Sequence, residues 1–169
     1  MMPLRQPVRR SLGEGGGYGA QAPLPSVIPL ARRWIAVGIP LRALHLAWPE
    51  LGPLLEPAIS SSPDRPNVLA ELLARRADLW GVYDDGEAVA AVVTAKQEDG
   101  RCLVWLVGGS RMRDWAQPFL TTLAEAARAN GCWAIWGTGR RGWARVMPKL
   151  GFQRIADHDG RPAWEWRIA

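Results

Sequence analysis

From residue 34 onward, apolar and polar positions fall into short blocks that switch repeatedly between a strand period and a helix period. Residues 34–39 (WIAVGI) form an apolar run that stops before Pro40, and this run predicts a strand. Leu44, Trp48, Leu51, Leu54, Leu55 and Ile59 then recur near the helical period, interrupted by Pro49, Pro53 and Pro57. Proline is tolerated in the first turn of a helix, so the pattern predicts one helix starting near Pro49. A loop follows at 60–66. Asn67 is placed to cap a short helix whose apolar face is Val68, Leu69, Leu72 and Leu73, ending near Arg75 and Arg76.

Three strands come next, at 79–83, 88–95 and 102–107. They are separated by the turn signals Asp84-Asp85-Gly86 and Glu98-Asp99-Gly100. The third, CLVWLV, is apolar throughout, as a strand covered on both faces would be. Trp115, Phe119, Leu123, Ala126 and Ala127 mark the buried stripe of a helix. Asp114-x-x-Gln117 reads as its capping box and Asn130-Gly131 as its stop. A further apolar strand occupies 132–136. The stretch 102–136 is therefore strand–helix–strand, which predicts two parallel strands joined by a right-handed crossover. Trp143, Val146, Met147 and Leu150 share one face of a short helix over 142–150, bent by Pro148. Two strands at 152–156 and 163–168 close the chain.

Residues 1–33 have no such period. Five glycines crowd 13–19 and Pro23, Pro25 and Pro29 follow, so a flexible tail is predicted, with one domain over 34–169. Val27, Ile28 and Leu30 are broken by prolines, so the tail lacks the apolar core of a secretory signal.

The chain has 169 residues, 48% apolar and 22% charged, within the range of a folded domain. No apolar run approaches the roughly 20 residues of a membrane span. Two cysteines and two histidines are too few for a disulfide scaffold or a structural zinc site, and no metal is expected. In a reducing cytoplasm Cys102 and Cys132 should be buried thiols. His45 and His158 have no partner at ligand or triad spacing and are taken as structural or surface residues. Ser60, Ser61 and Ser62 lack the flanking glycines of a nucleophile elbow, and no P-loop is present.

Charge is unevenly spread. Residues 34–100 carry five bases and ten acids, whereas 101–154 carry nine bases and two acids. A basic second half favours phosphate-bearing or other anionic partners. Of the ten tryptophans most sit in apolar periodic segments and should pack. Only Trp143, beside Arg140, Arg141 and Arg145, looks locally like an aromatic platform among arginines.

The order β α α β β β α β α β β over 34–169 resembles the GNAT acyltransferase superfamily. The resemblance rests on the 102–136 unit and on Val146-Met147-Pro148-Lys149-Leu150-Gly151-Phe152, which is similar to the family's late helix ending in Leu-Gly-Phe. Trp115, Asn130-Gly131-Cys132 and the segment 139–146 also resemble small GNAT-like proteins of tailed phages and prophages. The resemblance implies a mixed α/β sheet of about seven strands with helices on both faces. It also implies acetyl-coenzyme A as cofactor and acetyl transfer to an amine. Gly109, Ser110, Arg111, Arg113 and Asp114 would stand at the cofactor's pyrophosphate. The acceptor would then lie toward the acidic first half, as suits a cationic amine.

Two positions depart from the family pattern. In Arg111-Met112-Arg113-Asp114-Trp115-Ala116 the family's central glycine is Asp114, whose charge would oppose a phosphate at a helix start. Met147 occupies the position of the family's tyrosine general acid and has no proton to give. Three functions therefore stay open. The first is an acetyltransferase with degenerate motifs. The second is a non-catalytic GNAT-fold binding protein, in a phage virion or beside a host protein, so located in the host cytoplasm or the virion. The third, and last in order, is a nucleic-acid binder through the basic half.

Overall fold

The apolar runs of the middle of the chain assemble as neighbours in one sheet. In the computed structural model, which describes residues 28–29 and 34–168, β3 (Asp78–Asp84), β4 (Glu87–Lys96) and β5 (Arg101–Gly109) form an antiparallel meander. Asp85 and Gly86 both have positive φ, 50° and 83°, the geometry of the two-residue hairpin that Asp-Asp-Gly signals. β2 (Trp34–Ile39) pairs with β3, and β1 (Ile28–Pro29) pairs with β2, Ile28 opposite Ala36. Two residues of the tail expected over 1–33 are thus paired to the sheet. Residues 1–27 and 30–33 lie outside those described.

On the other side, β6 (Ala134–Thr138) lies parallel to β5, as the strand–helix–strand pattern requires. It is followed in space by β8 (Arg161–Arg167) and β7 (Gln153–His158). The order is β1-β2-β3-β4-β5-β6-β8-β7, and every neighbouring pair except β5/β6 is antiparallel. This is the expected mixed sheet, with a two-residue edge strand added.

Helices cover both faces. α3 (Met112–Ala129) crosses from β5 to β6 and buries Trp115, Phe119 and Leu123 on one face. Phe119 sits edge-on to both Trp80 and Trp115, with centroids 5.8 Å apart in each pair. α1 (Leu44–Ser61) and α2 (Val68–Leu73) bury Leu51, Leu55, Val68 and Leu72 on the opposite face. The Asn67 side chain accepts the Ala70 N–H at 3.1 Å, the cap expected of it.

Three expectations need correction. α1 begins at Leu44 rather than near Pro49 and runs through all three prolines. Pro49, Pro53 and Pro57 are spaced by four and all are exposed. The donors they lack therefore fall on one row at the solvent side, where the freed carbonyls are open to water, while Leu44, Leu51 and Leu55 hold the other side to the sheet. α3 begins at Met112, so Asp114 lies inside the first turn and caps nothing; Arg111 precedes the helix in the left-handed conformation with φ 58°. The short helix over 142–150 is instead two 3-10 turns, Arg141–Arg145 and Met147–Leu150. Pro148 both lacks a donor and disfavours the α conformation at Met147.

Asp78 begins β3 beside a cavity of about 20 Å³ that Thr94, Cys102, Asn130 and Cys132 also line. Burial pushes its carboxyl up to about 6. A carboxyl raised above its unfolded value of about 3.9 holds its proton more tightly when folded, so stability falls as pH rises from about 4 through 6. Asp78→Asn should therefore be more stable than the parent by about 1–3 kcal/mol at pH 7.5 and indistinguishable from it at pH 4. Urea unfolding at the two pH values checks this, and an equal difference at both would contradict it.

Candidate functional site

Parallel pairing of β5 with β6 is brief. It joins Arg101, Cys102 and Leu103 to Ala134, Ile135 and Trp136, and no further residues. Beyond it the strands part. A bulge in β5 begins the divergence: Thr94 of β4 lies opposite Val104 and Val93 opposite Leu106, leaving Trp105 as the extra residue. Val104 and Val107 consequently pack on the α3 side, and Trp105 and Leu106 on the α1 side.

The parting opens a cleft of about 660 Å³. Met112, Trp115 and Phe119 of α3 line it from one face of the sheet, with Trp143, Met147 and Leu150 of the 3-10 turns. Pro57, Ala58, Ser61 and Ser62 at the end of α1 line it from the other, with Gly160 of the β7–β8 turn and Arg161 and Pro162 at the start of β8. It therefore passes through the sheet. Glycine permits the close packing around it. A Cβ at Gly108 would stand 1.9 Å from the Leu54 carbonyl oxygen, so α1 lies directly on the β5 backbone.

Among the described residues, arginine is the only ionisable type along this lining, at 140, 141 and 161. No described carboxylate lines the cleft, contrary to the expectation that an acceptor would meet the acidic first half. Of the five residues expected at a pyrophosphate, Gly109 lines the cleft; Ser110, Arg111, Arg113 and Asp114 do not. Arg111 donates to Asp84 at 2.7 Å and to Asp114 at 3.1 Å, and its guanidinium lies 4.6 Å from the centre of the Trp34 ring. Asp84 is buried, so this arginine is held by a carboxylate of β3 rather than presented to a ligand. Arg113 is exposed and forms no ion pair among the described residues. The Trp115 indole donates to the Ser110 carbonyl at 2.9 Å and fixes the turn that enters α3. Met147 is buried and lines the cleft.

The remaining candidates fall elsewhere. Cys102 and Cys132 are buried free thiols at the small cavity by Asp78. Burial raises both thiols, with Cys132 and Asp78 adding to the effect at Cys102, so neither is a ready nucleophile. His45 is exposed, and His158 meets the Trp136 ring edge-on at 5.1 Å. Arginine–tryptophan stacking occurs not at Trp143 but at Trp136 with Arg101, Trp34 with Arg111, Trp164 with Arg154 and Trp133 with Arg167. Trp133 is exposed, Trp48, Trp105, Trp143 and Trp166 are half-buried, and the other five tryptophans are buried. Sequence reasoning missed Arg161, Ser61 and Trp105; the turn signal Asp159-Gly160 before Arg161 and the unbroken apolar run around Trp105 gave no reason to place them in one site.

No family model and no curated protein sequence matches the chain. Solved structures do. An aminoglycoside 6'-acetyltransferase type Ii matches with a TM-score of 0.62 at 12% identity, covering 79% of this chain and 97% of that one. The GNAT domain of S. lividans PAT matches with a TM-score of 0.56 at 13% identity, over 79% and 90%. A Bacillus subtilis acetyltransferase in complex with CoA matches with a TM-score of 0.56 at 14% identity, over 72% and 93%. Strand order, the crossover at β5–α3–β6 and these likenesses agree: the chain has the fold of the GNAT acetyltransferases.

Proposed function

We propose that this protein binds an acyl-coenzyme A thioester in the cleft between β5 and β6 and transfers the acyl group to an amine that enters from the α1 side. The observation that carries this reading is the cleft's passage through the sheet, which lets two ligands meet from opposite faces. Past Leu103 the β5 edge facing β6 has backbone groups with no strand partner, and these suit the amides of a pantetheine arm. Val104, Phe119 and Met147 supply the apolar wall, and about 660 Å³ is in the range of cofactor sites.

The phosphate end fits less well. The start of α3 offers open N–H groups, but Asp114 sits in that first turn and Arg111 is engaged by two carboxylates. Arg113 is the nearest cation in sequence that no described carboxylate engages. Binding should therefore be weaker than a glycine-lined phosphate loop allows.

The bound cofactor would supply an activated acyl thioester. The protein's part is to align it with the amine, to exclude water through Phe119, Leu120 and Met147, and to leave the amine neutral. No described side chain in the cleft takes up a proton near neutral pH, so the amine's proton passes to solvent.

A second reading has one observation of its own. The same lack of an acid–base side chain favours a non-catalytic acyl-CoA-binding protein, acting as an accessory or virion component of a phage, in the virion or the host cytoplasm. Under it, acetyl-CoA binds and nothing in a broad amine panel is acetylated.

Calorimetry with acetyl-CoA should give saturable one-to-one binding. Asp114→Asn should tighten it about two- to fivefold, the effect of removing an opposing charge at a helix start worth about 0.3–1 kcal/mol. Unchanged or weaker binding would remove Asp114 from the phosphate seat. Met147→Tyr places a phenol in the cleft and should raise amine acetylation, followed by mass spectrometry, about tenfold or more. No transfer by either protein in the presence of bound acetyl-CoA would favour the second reading.

A further inference from the structure

Among the described arginines some are paired with carboxylates and others, including Arg140, Arg141 and Arg161 on the cleft lining, are not. Arg76, Arg101, Arg111, Arg154 and Arg167 each meet a carboxylate. Arg140 and Arg161, on the lining of the cleft, meet none among the described residues. Of the acids nearest Arg161 in sequence, Asp157 is paired with Arg154 and Asp159 lies 3.4 Å from His158. Yet the fold brings Arg140 and Arg161 together. The Gly139 N–H donates to the Pro162 carbonyl at 3.0 Å, so the residues next to each end of that bond are neighbours across two segments. Arg140 also reaches the Ser61 hydroxyl at 3.5 Å, which places it at the α1 mouth of the cleft. Arg161 is half-buried.

Two arginines on neighbouring backbone, Arg161 half-buried and Arg140 exposed, with no described carboxylate paired to either, favour an anionic ligand between them. The rest of this mouth is apolar or donates hydrogen bonds: Pro57, Ala58, Trp105 and Trp136 line it with Ser61. The Trp136 indole N–H is buried and has no acceptor among the described residues.

We infer, on the basis of the acyl-transfer reading above, that the acceptor is a primary amine bearing a carboxylate and an apolar side chain, an apolar α-amino acid, with its carboxylate held by Arg140 and Arg161. A guanidinium fork matches a carboxylate in a way that a lone ammonium does not, and Trp105 and Trp136 suit the apolar side chain. The same two positive charges disfavour the protonated form of a nearby amine, which helps to keep the nucleophile neutral in a cleft that has no base.

The test uses the full chain with saturating acetyl-CoA and three acceptors: L-phenylalanine, phenethylamine, which lacks only the carboxylate, and spermidine, a polycation. L-phenylalanine should be the preferred acceptor, with phenethylamine about tenfold or more poorer in kcat/KM. Arg140→Gln with Arg161→Gln should raise KM for L-phenylalanine about tenfold or more, weaken its direct binding in calorimetry likewise, lower phenethylamine turnover by a much smaller factor, and leave acetyl-CoA affinity unchanged. Arg161→Lys, which keeps the charge and loses the fork, should fall between parent and double variant. Preference for phenethylamine or spermidine would overturn the inference, as would loss of acetyl-CoA affinity in the double variant, because the arginines would then serve the cofactor. Should the double variant fail to fold, the acceptor comparison on the parent and the Arg161→Lys result decide. A parent that binds acetyl-CoA but ignores L-phenylalanine overturns this inference alone; a parent that does not bind acetyl-CoA overturns the acyl-transfer reading with it.

Discussion

Two parallel strands that begin paired and then diverge leave backbone donors and acceptors facing a gap, and β5 and β6 do so after Leu103 and Trp136. Several features keep the gap from closing. β6 is held along its whole length by β8, from Ala134 opposite Arg167 to Thr138 opposite Ala163, so its direction is fixed from the far side. β5 is held by β4 and turned by the bulge at Trp105, and α1 rests on its backbone at Gly108. α3 spans the two strands, with Phe119 buried to 1% exposure beneath the gap, a burial worth about 1.5–3 kcal/mol for one side chain. The parting is therefore enforced from four sides, and the cleft is a built-in consequence of the topology.

The charges around this cleft follow a consistent pattern. On the α3 side Arg111, at the helix entrance, is drawn back to Asp84 and Asp114, which ties the β3–β4 hairpin to the start of α3. That contact stabilises the fold and leaves little positive charge where a phosphate would approach. On the α1 side no described carboxylate engages Arg140 or Arg161. Positive charge is unpaired at one mouth, and at the other Arg111 is neutralised while Arg113 is not. The proposed division into an acceptor end and a cofactor end rests on that difference.

Much of the fold was legible because it rests on local periodicity. The apolar runs at β3, β4, β5 and β6, the Asp-Asp-Gly hairpin and the Asn67 cap are properties of a few adjacent residues. The misread elements depend on what lies beside them. Nothing within 44–61 says that three prolines will share the solvent face, since that depends on where the sheet is. Asp114 looked like a cap because its partner Arg111, itself anchored by Asp84 27 residues earlier, is invisible to a local reading. The candidate site was legible only in part for the same reason. Gly109 and Met147 could be placed from the resemblance, but the neighbourhood of Arg140 and Arg161 depends on one hydrogen bond between Gly139 and Pro162, across a turn and two strands.

The tryptophans supply the most direct test of the central claim that the parting of β5 and β6 seats an acyl-coenzyme A. Trp105, Trp115, Trp136 and Trp143 line the cleft, whereas Trp34, Trp48, Trp80, Trp133, Trp164 and Trp166 do not. Indole N–H resonances, assigned by single substitution and followed in ¹H–¹⁵N spectra, report on all of them at once. Titration with acetyl-coenzyme A should shift the four cleft indoles along one saturable curve and leave Trp48 and Trp133 in place. Saturable shifts confined to tryptophans outside the cleft, or no saturable shift at all, would contradict that claim.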